Sequence, residues 1–187
     1  EPVAVNIRGM GRKVEIVKTD VTDAKQVEAM VRRAAQLFDG RIDILVNVAG
    51  VTGPIETPVW DIEVADFEMV LRGNVLGTFL PIKFTLPHMI ARRSGKIVNI
   101  GGTSGLRGYR YRTAYSASKW AVRGVTRTVA LDVGEYNINV NAVCPGIVET
   151  ERMNKLCAEK ARKRGCSFEQ VYQEYVDDMA LRRVTVP

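Results

Sequence analysis

Hydrophobic positions along the chain follow two periods in turn. Lys13 to Lys18 (Lys-Val-Glu-Ile-Val-Lys) alternates as a strand with one covered face does. Behind Thr22 or Asp23, either of which can cap a helix, Val27, Met30, Val31 and Ala34 or Ala35 recur at helical spacing, and Asp39-Gly40 stops the run after about Phe38. Ile42 to Val46 is a continuous apolar run of the kind found in strands buried on both faces of a parallel sheet. Lys96 to Ile100 and Ile138 to Val143 repeat that pattern. Between them lie a short helical stretch at Asp66 to Val70, a longer helix over Asn74 to Arg92 that Pro81 and Pro87 must kink or bound, and a helix from Thr113 to about Gly134. Glu1 to Met10 reads as the tail of a helix closed by Gly11. Glu149 to Arg183 reads as two helices, the second opened by the capping-box spacing of Ser167-Phe168-Glu169-Gln170.

Strands that alternate with helices of ten or more residues need crossover connections. The pattern therefore predicts an α/β fold: one domain over residues 1–187, with a doubly wound parallel sheet in three α/β/α layers. Ligands of such sheets sit outside the carboxyl ends of the strands. Those ends are Asp20-Val21, Asn47-Val48-Ala49-Gly50, Gly101 to Ser104, and Pro145-Gly146-Ile147.

Composition narrows the function classes. With 46% hydrophobic and 26% charged residues, the chain is an ordinary globular one, and no apolar run is long enough for a membrane span. Cys144, Cys157 and Cys166 lack metal or redox spacing, and scattered thiols fit a reducing cytoplasm. The single His88 argues against a histidine metal site or a Ser-His-Asp triad, so no metal is expected. A net charge of +6 admits nucleic acid, but no RNP-type or zinc-finger pattern supports it, and no nucleic-acid partner is expected.

The chemistry gathers at Thr113-Ala114-Tyr115-Ser116-Ala117-Ser118-Lys119. At a helix start, Tyr115 and Lys119 lie on one face, one turn apart. An ammonium near a phenol favours phenolate, and such a tyrosine can exchange a proton with a carbonyl or alcohol oxygen. One loop separates Tyr115 from the end of the Lys96–Ile100 strand.

Six segments in order resemble the short-chain dehydrogenases/reductases: Thr19-Asp20-Val21-Thr22-Asp23, Ile42 to Gly50, Asn74-Val75-Leu76-Gly77, Gly95 to Ile100, Tyr115 to Lys119, and Asn141 to Gly146. The resemblance implies a Rossmann-like fold and an NAD- or NADP-dependent oxidoreductase acting on a secondary alcohol or ketone. In it Tyr115 is the acid/base, and Lys119 binds the nicotinamide ribose and lowers the Tyr115 pKa. It further implies that Asn74 holds a water connected to Lys119, and that Asp20 and Val21 sit at the adenine. Asn47, Ala49 and Gly50 would line the cofactor, and Pro145, Gly146, Ile147 and Thr150 would hold the nicotinamide. A homo-oligomer, tetramer or dimer, built on the helices near Asn74 and Thr113 is also implied. A reductase of 3-oxoacyl thioesters is the nearest alternative, and a catalytically impaired nucleotide- or partner-binding relative is the alternative of another class.

The chain departs from that family in three ways. The glycine-rich dinucleotide fingerprint is absent, and the family pattern expects strand segments before Glu1 and after Pro187. Gly102 stands thirteen residues before Tyr115, where the family usually has a catalytic serine, and Ser104 is the next candidate for that role. Val48 replaces the second asparagine of Asn-Asn-Ala-Gly. In the expected substrate lid, residues 147–183, Arg152, Lys155, Lys160, Arg162, Lys163 and Arg164 make a basic first half. With Arg110 and Arg112 before Tyr115, they suggest an anionic small-molecule substrate bound near Gly102 and Ser104.

Overall fold

A computed structural model describes residues 2–186. Its centre is a parallel sheet of three strands in the order β1 (Ile44–Asn47), β2 (Gly95–Ile100), β3 (Ile138–Val143). Leu45, Ile97 and Val140 lie in register across it, as do Asn47, Asn99 and Ala142. Residues two apart share a strand face, so these six point the same way. Two helices pack on that face: α4 (Gly77–Arg92) and α5 (Thr113–Val133). Ile82, Met89, Ile97, Val133, Ile138 and Val140 form the main core between the layers. Gly95 is required there, because a Cβ on it would stand 2.4 Å from the sulfur of Met89.

α1 (Pro2–Gly9) is followed two residues on by Gly11, whose φ of +70° continues no helix. α2 (Ala24–Leu37) is capped by the Asp23 carboxylate and lays Val27 and Val31 against Leu80 of α4. The expected strand at Lys13 to Lys18 is not formed: the segment is irregular and Ile16 and Val17 are exposed. Alternation needs a neighbouring backbone to pair with, and none of the described strands lies beside it. Burial on both faces, expected for Ile42 to Val46, is met on one only. Ile44 and Val46 remain 63% and 52% exposed, because the described helices against the sheet cover the other side.

The two prolines do not break the long helix. α3 (Val64–Leu71), a π-helical turn at Arg72–Leu76 and α4 form one continuous run, with Pro81 and Pro87 inside α4. The irregularity falls earlier, at the π turn, which contains Asn74. Past β3, α6 (Glu151–Arg164) and α7 (Phe168–Asp177) pack on each other through Met153, Cys157, Ala161 and Val171. Ser167 and Gln170 form the expected capping box. Among the described residues no helix is long and apolar enough to cross a membrane.

Candidate active site

α5 begins where the loop after β2 returns to the sheet, and its first turn carries Tyr115. The next turn carries Lys119, whose ammonium lies 5.6 Å from the centre of the Tyr115 ring. Lys119 is only 7% exposed and donates to the carbonyl of Ile100 at 2.8 Å. Burial, with a smaller contribution from the charge of Arg152, lowers its pKa from 10.5 to about 8. The Arg112 guanidinium also lies over the phenol, 4.7 Å from the ring centre.

Asn74 sits directly behind this pair. Its amide donates to the carbonyl of Val51 at 3.1 Å and to Ser118 Oγ at 2.9 Å, and its oxygen accepts from the Val51 N–H at 2.7 Å. Both amide hydrogens and the oxygen are therefore engaged. The side chain ties the loop after β1 to α5, and the second lone pair of its oxygen is left for a further donor. π turns recur at functional sites because they swing one residue out of helical register, and here that residue is the buried amide. Gly50 lies over the same spot: a Cβ there would meet Asn74 Oδ1 at 2.8 Å and Lys119 Nζ at 4.0 Å. The backbone of Gly50 and the two ammonium hydrogens that Ile100 leaves unengaged suit the close approach of a ribose.

The loop after β2 is pinned to the end of β3, Gly101 N–H donating to Val143 at 2.8 Å and Thr103 N–H to Pro145 at 3.2 Å. Gly102 adopts φ 85°, ψ 161°, a region essentially restricted to glycine. Space is available beside it, since a Cβ would meet nothing within 4 Å. The obstacle to a side chain at Gly102 is therefore backbone conformation. Ser104 lies on the following 3-10 turn and shares a cleft with Tyr115. Its hydroxyl makes no hydrogen bond among the described residues, whereas Thr103 Oγ1 accepts from the Tyr109 hydroxyl at 3.1 Å.

Pro145, Gly146 and Ile147 close one side of that cleft, and α6 and α7 close the other with Arg152, Lys160 and Tyr175. Arg112 lines it and Arg110 does not: Arg110 is exposed, stacked on Tyr111 at 4.7 Å. Thr150 is exposed as the N-cap of α6, accepting from Met153 N–H at 3.3 Å. Asn47 is buried and donates to Asn99, which donates to Thr126, a polar chain between sheet and α5. Ala49 is exposed at the strand tip. The Asp20 carboxylate accepts from the N–H and hydroxyl of Thr22, and Val21 packs over Gly77 at the start of α4.

Most of the basic lid residues meet carboxylates. Arg164 pairs with Glu56 at 2.7 Å and also with Glu174, Lys160 lies 3.5 Å from Glu56, and Lys155 pairs with Glu151. Sequence reasoning passed over Glu56, whose side chain is 6% exposed. In the sequence it is one acid in a loop, and its partners lie 104 and 108 residues further on.

The sequence profile described as short chain dehydrogenase matches residues 1–161. The chain belongs to this family. It is 42% identical over 145 residues to the trans-4-hydroxycyclohexanecarboxylate dehydrogenase of Sinomonas cyclohexanicum, an overlap of 76% of this chain and 54% of that protein. To the 3-oxoacyl-[acyl-carrier-protein] reductase of Thermotoga maritima it is 38% identical over 159 residues, 85% of this chain and 63% of that one. The chain thus spans little more than half the length of these relatives. Its fold superposes on a crystal structure of NAD+-bound xylitol dehydrogenase with a TM-score of 0.92 at 32% identity, covering 99% of this chain and 72% of that one. The α/β architecture with its parallel sheet is therefore that of a Rossmann-fold short-chain dehydrogenase.

Within such a dehydrogenase, Tyr115, Lys119, Asn74, Ser104 and Arg112 converge, and Gly50 with Pro145, Gly146 and Ile147 frame them. The aromatic walls Tyr109 and Tyr175 were not foreseen. Tyr109 was visible beside the arginines of its loop, but Tyr175 reaches the site only through the packing of α7.

Proposed function

We propose that the protein transfers hydride between NAD or NADP and a secondary alcohol or ketone, with Tyr115 as the acid/base. The observation that carries this is the buried Lys119 ammonium held by the Ile100 carbonyl beside the Tyr115 ring, at a cleft framed by the loops after β2 and β3. The cofactor supplies the hydride when bound. Tyr115 gives its hydroxyl proton to the substrate oxygen in reduction and takes it back in oxidation. Lys119 supplies positive charge beside the phenol and two free N–H donors for ribose hydroxyls. Asn74 holds Val51 and Ser118, and so the floor under Lys119, in place. Ser104 donates to the substrate oxygen in the role that Gly102 leaves open. Arg112 binds the remainder of the substrate, while Arg110 contributes at most to surface charge.

Residues 147–183 act as the lid, within a single cofactor-binding and catalytic domain. The substrate is a small anionic molecule, a reading favoured by the carboxylate in the name of the Sinomonas relative. The likeness to the Thermotoga reductase favours 3-oxoacyl thioesters as a second reading. Exposed Phe79 and Trp120 on α4 and α5 support a homo-oligomer, and three free thiols support a cytoplasmic setting. The test is fluorescence titration with NADH and NADPH together with turnover of ketones, alcohols and carrier-bound 3-oxoacyl groups. Tight binding of one cofactor with turnover of a free ketone supports the first reading, and turnover confined to carrier-bound substrate supports the second. Absence of cofactor binding overturns both.

A further inference from the structure

Five cations of the cleft and lid meet the loop 52–56, and this loop treats them differently. Lys160 and Arg164 both reach the buried carboxylate of Glu56, with Glu174 a second partner for Arg164, and Lys163 donates to the carbonyl of Ile55 while pairing with Glu159. Arg152 instead donates to Thr52 Oγ1 at 2.8 Å, and Arg112 to the carbonyl of Pro54 at 3.2 Å. Among the described residues neither Arg112 nor Arg152 has a carboxylate within ion-pair distance. A guanidinium has five N–H donors, and each of these two has one engaged in this way.

Burial without a counter-charge is costly for a cation, and more so when a second cation faces it. Arg112 is 7% exposed, and its pKa is pushed down by burial, with the charge of Arg152 adding to the effect; Arg152 itself is exposed, so the cost of burial falls on Arg112 alone. Both arginines line the cleft of Tyr115 and Ser104, and the phenols of Tyr109 and Tyr175 wall it. Such an arrangement persists where a ligand supplies the missing charge.

We propose that Arg112 and Arg152 form a two-guanidinium grip for a single carboxylate or sulfonate on the substrate, oriented by Thr52 and Pro54, while Glu56 withholds Lys160 and Arg164 from that anion. This deepens the oxidoreductase reading and rests on it for the word substrate, but the grip can be measured without turnover. A planar fork of donors from each side matches the oxygens of such a group. Because Arg112 stacks on Tyr115, the anion lies close to the reacting oxygen. The cleft therefore selects compact hydroxy or oxo acids over long neutral chains.

The experiment measures calorimetric binding of cyclohexanecarboxylate and cyclohexanesulfonate to the protein, and to R112Q and R152Q, in the presence of saturating NADH. In parallel, kcat/KM is compared for 4-oxocyclohexanecarboxylate and its methyl ester, and NADH affinity is recorded for each variant. The grip predicts binding of at least one of the two anions, weakened about 10- to 100-fold in each variant, the loss expected for a charge-assisted hydrogen bond. It predicts a preference for acid over ester that shrinks by the same factor, mainly through KM, with unfolding midpoints and NADH affinity unchanged in R152Q. The better-bound anion distinguishes carboxylate from sulfonate. Equal turnover of acid and ester by the unaltered protein overturns the grip and leaves the oxidoreductase reading standing. Weakened NADH binding in R152Q with the acid preference intact overturns it by moving Arg152 to a cofactor phosphate. If no ketone is turned over, that reading fails instead, and anion binding that depends on both arginines still upholds the grip.

Discussion

Replacing Lys119 by methionine separates what the buried ammonium does for chemistry from what it does to stability. The drop of its pKa from 10.5 to about 8, at about 1.36 kcal/mol per pH unit, corresponds to roughly 3 kcal/mol. The sign follows from proton linkage. Between about pH 8 and pH 10.5 the unfolded chain holds the lysine proton and the folded chain does not, so stability contributed by this group rises with pH across that window. Below about pH 8 the lysine is charged in both states and its burial is fully unfavourable. Methionine removes that penalty but leaves the Ile100 carbonyl without its donor, a loss of about 1–3 kcal/mol. At pH 7 Lys119→Met is therefore expected to be as stable as the unaltered protein, or up to about 2 kcal/mol more stable, while turnover collapses. The assay is urea unfolding of both proteins at several values between pH 6.5 and pH 10.5. The stability difference, variant minus unaltered, should stay level to about pH 8 and then fall by up to roughly 3 kcal/mol. A difference that stays flat or grows as pH rises would refute the reasoning.

Two further substitutions probe the frame of the site. Gly102→Ser keeps free space around the new side chain but forces it into a glycine-only conformation, so it should lose about 1–3 kcal/mol in urea unfolding and gain no turnover. Ser104→Ala in the same series should lower kcat about 10²- to 10³-fold, and a rise in activity for Gly102→Ser would contradict this division of roles. Burial raises the pKa of the Glu56 carboxyl, but the Arg164 hydrogen bond and the two cationic charges outweigh it and hold the group below its ordinary value. Stability from this latch is present above the unfolded carboxyl pKa of about 4.3 and fades as pH falls through the lower folded value. Glu56→Gln should weaken the attachment of α6 by about 2–4 kcal/mol, less than a fully buried pair because Arg164 is partly exposed. Faster hydrogen exchange confined to α6 and the loop 52–56 would show it; unchanged protection there would count against the latch.

The legible parts of this chain were those whose signal is local. Ser167 and Gln170 spell their own cap, Asp23 caps α2, and the apolar runs at Lys96 to Ile100 and Ile138 to Val143 coincide with β2 and β3. Tyr115 and Lys119 were legible for the same reason, since four residues on a helix fix their relation. What was misread depends on neighbours far along the chain. Lys13 to Lys18 has the alternation of a strand but no described strand beside it, and Ile44 and Val46 have the hydrophobicity of a buried face without a layer over them among the described residues. The basic run from Arg152 to Arg164 looked like one electrostatic surface. Glu56, about a hundred residues earlier, divides it into neutralised and free cations. Gly102 looked like a missing serine, yet its φ and ψ make it a constraint on the loop, and no property of the residue letter distinguishes the two.

The most direct test of the central claim compares the unaltered protein with Tyr115→Phe. Cofactor affinity is read by quenching of protein fluorescence, and turnover is followed through the nicotinamide absorbance with a ketone that the unaltered protein reduces. Phenylalanine keeps the ring beside Arg112 and Lys119 and removes only the hydroxyl with its exchangeable proton. The account predicts cofactor affinity within about threefold and a kcat lower by at least about 10²- to 10⁴-fold, the range of general acid catalysis. Turnover retained by Tyr115→Phe would contradict it and place the proton transfer on another residue.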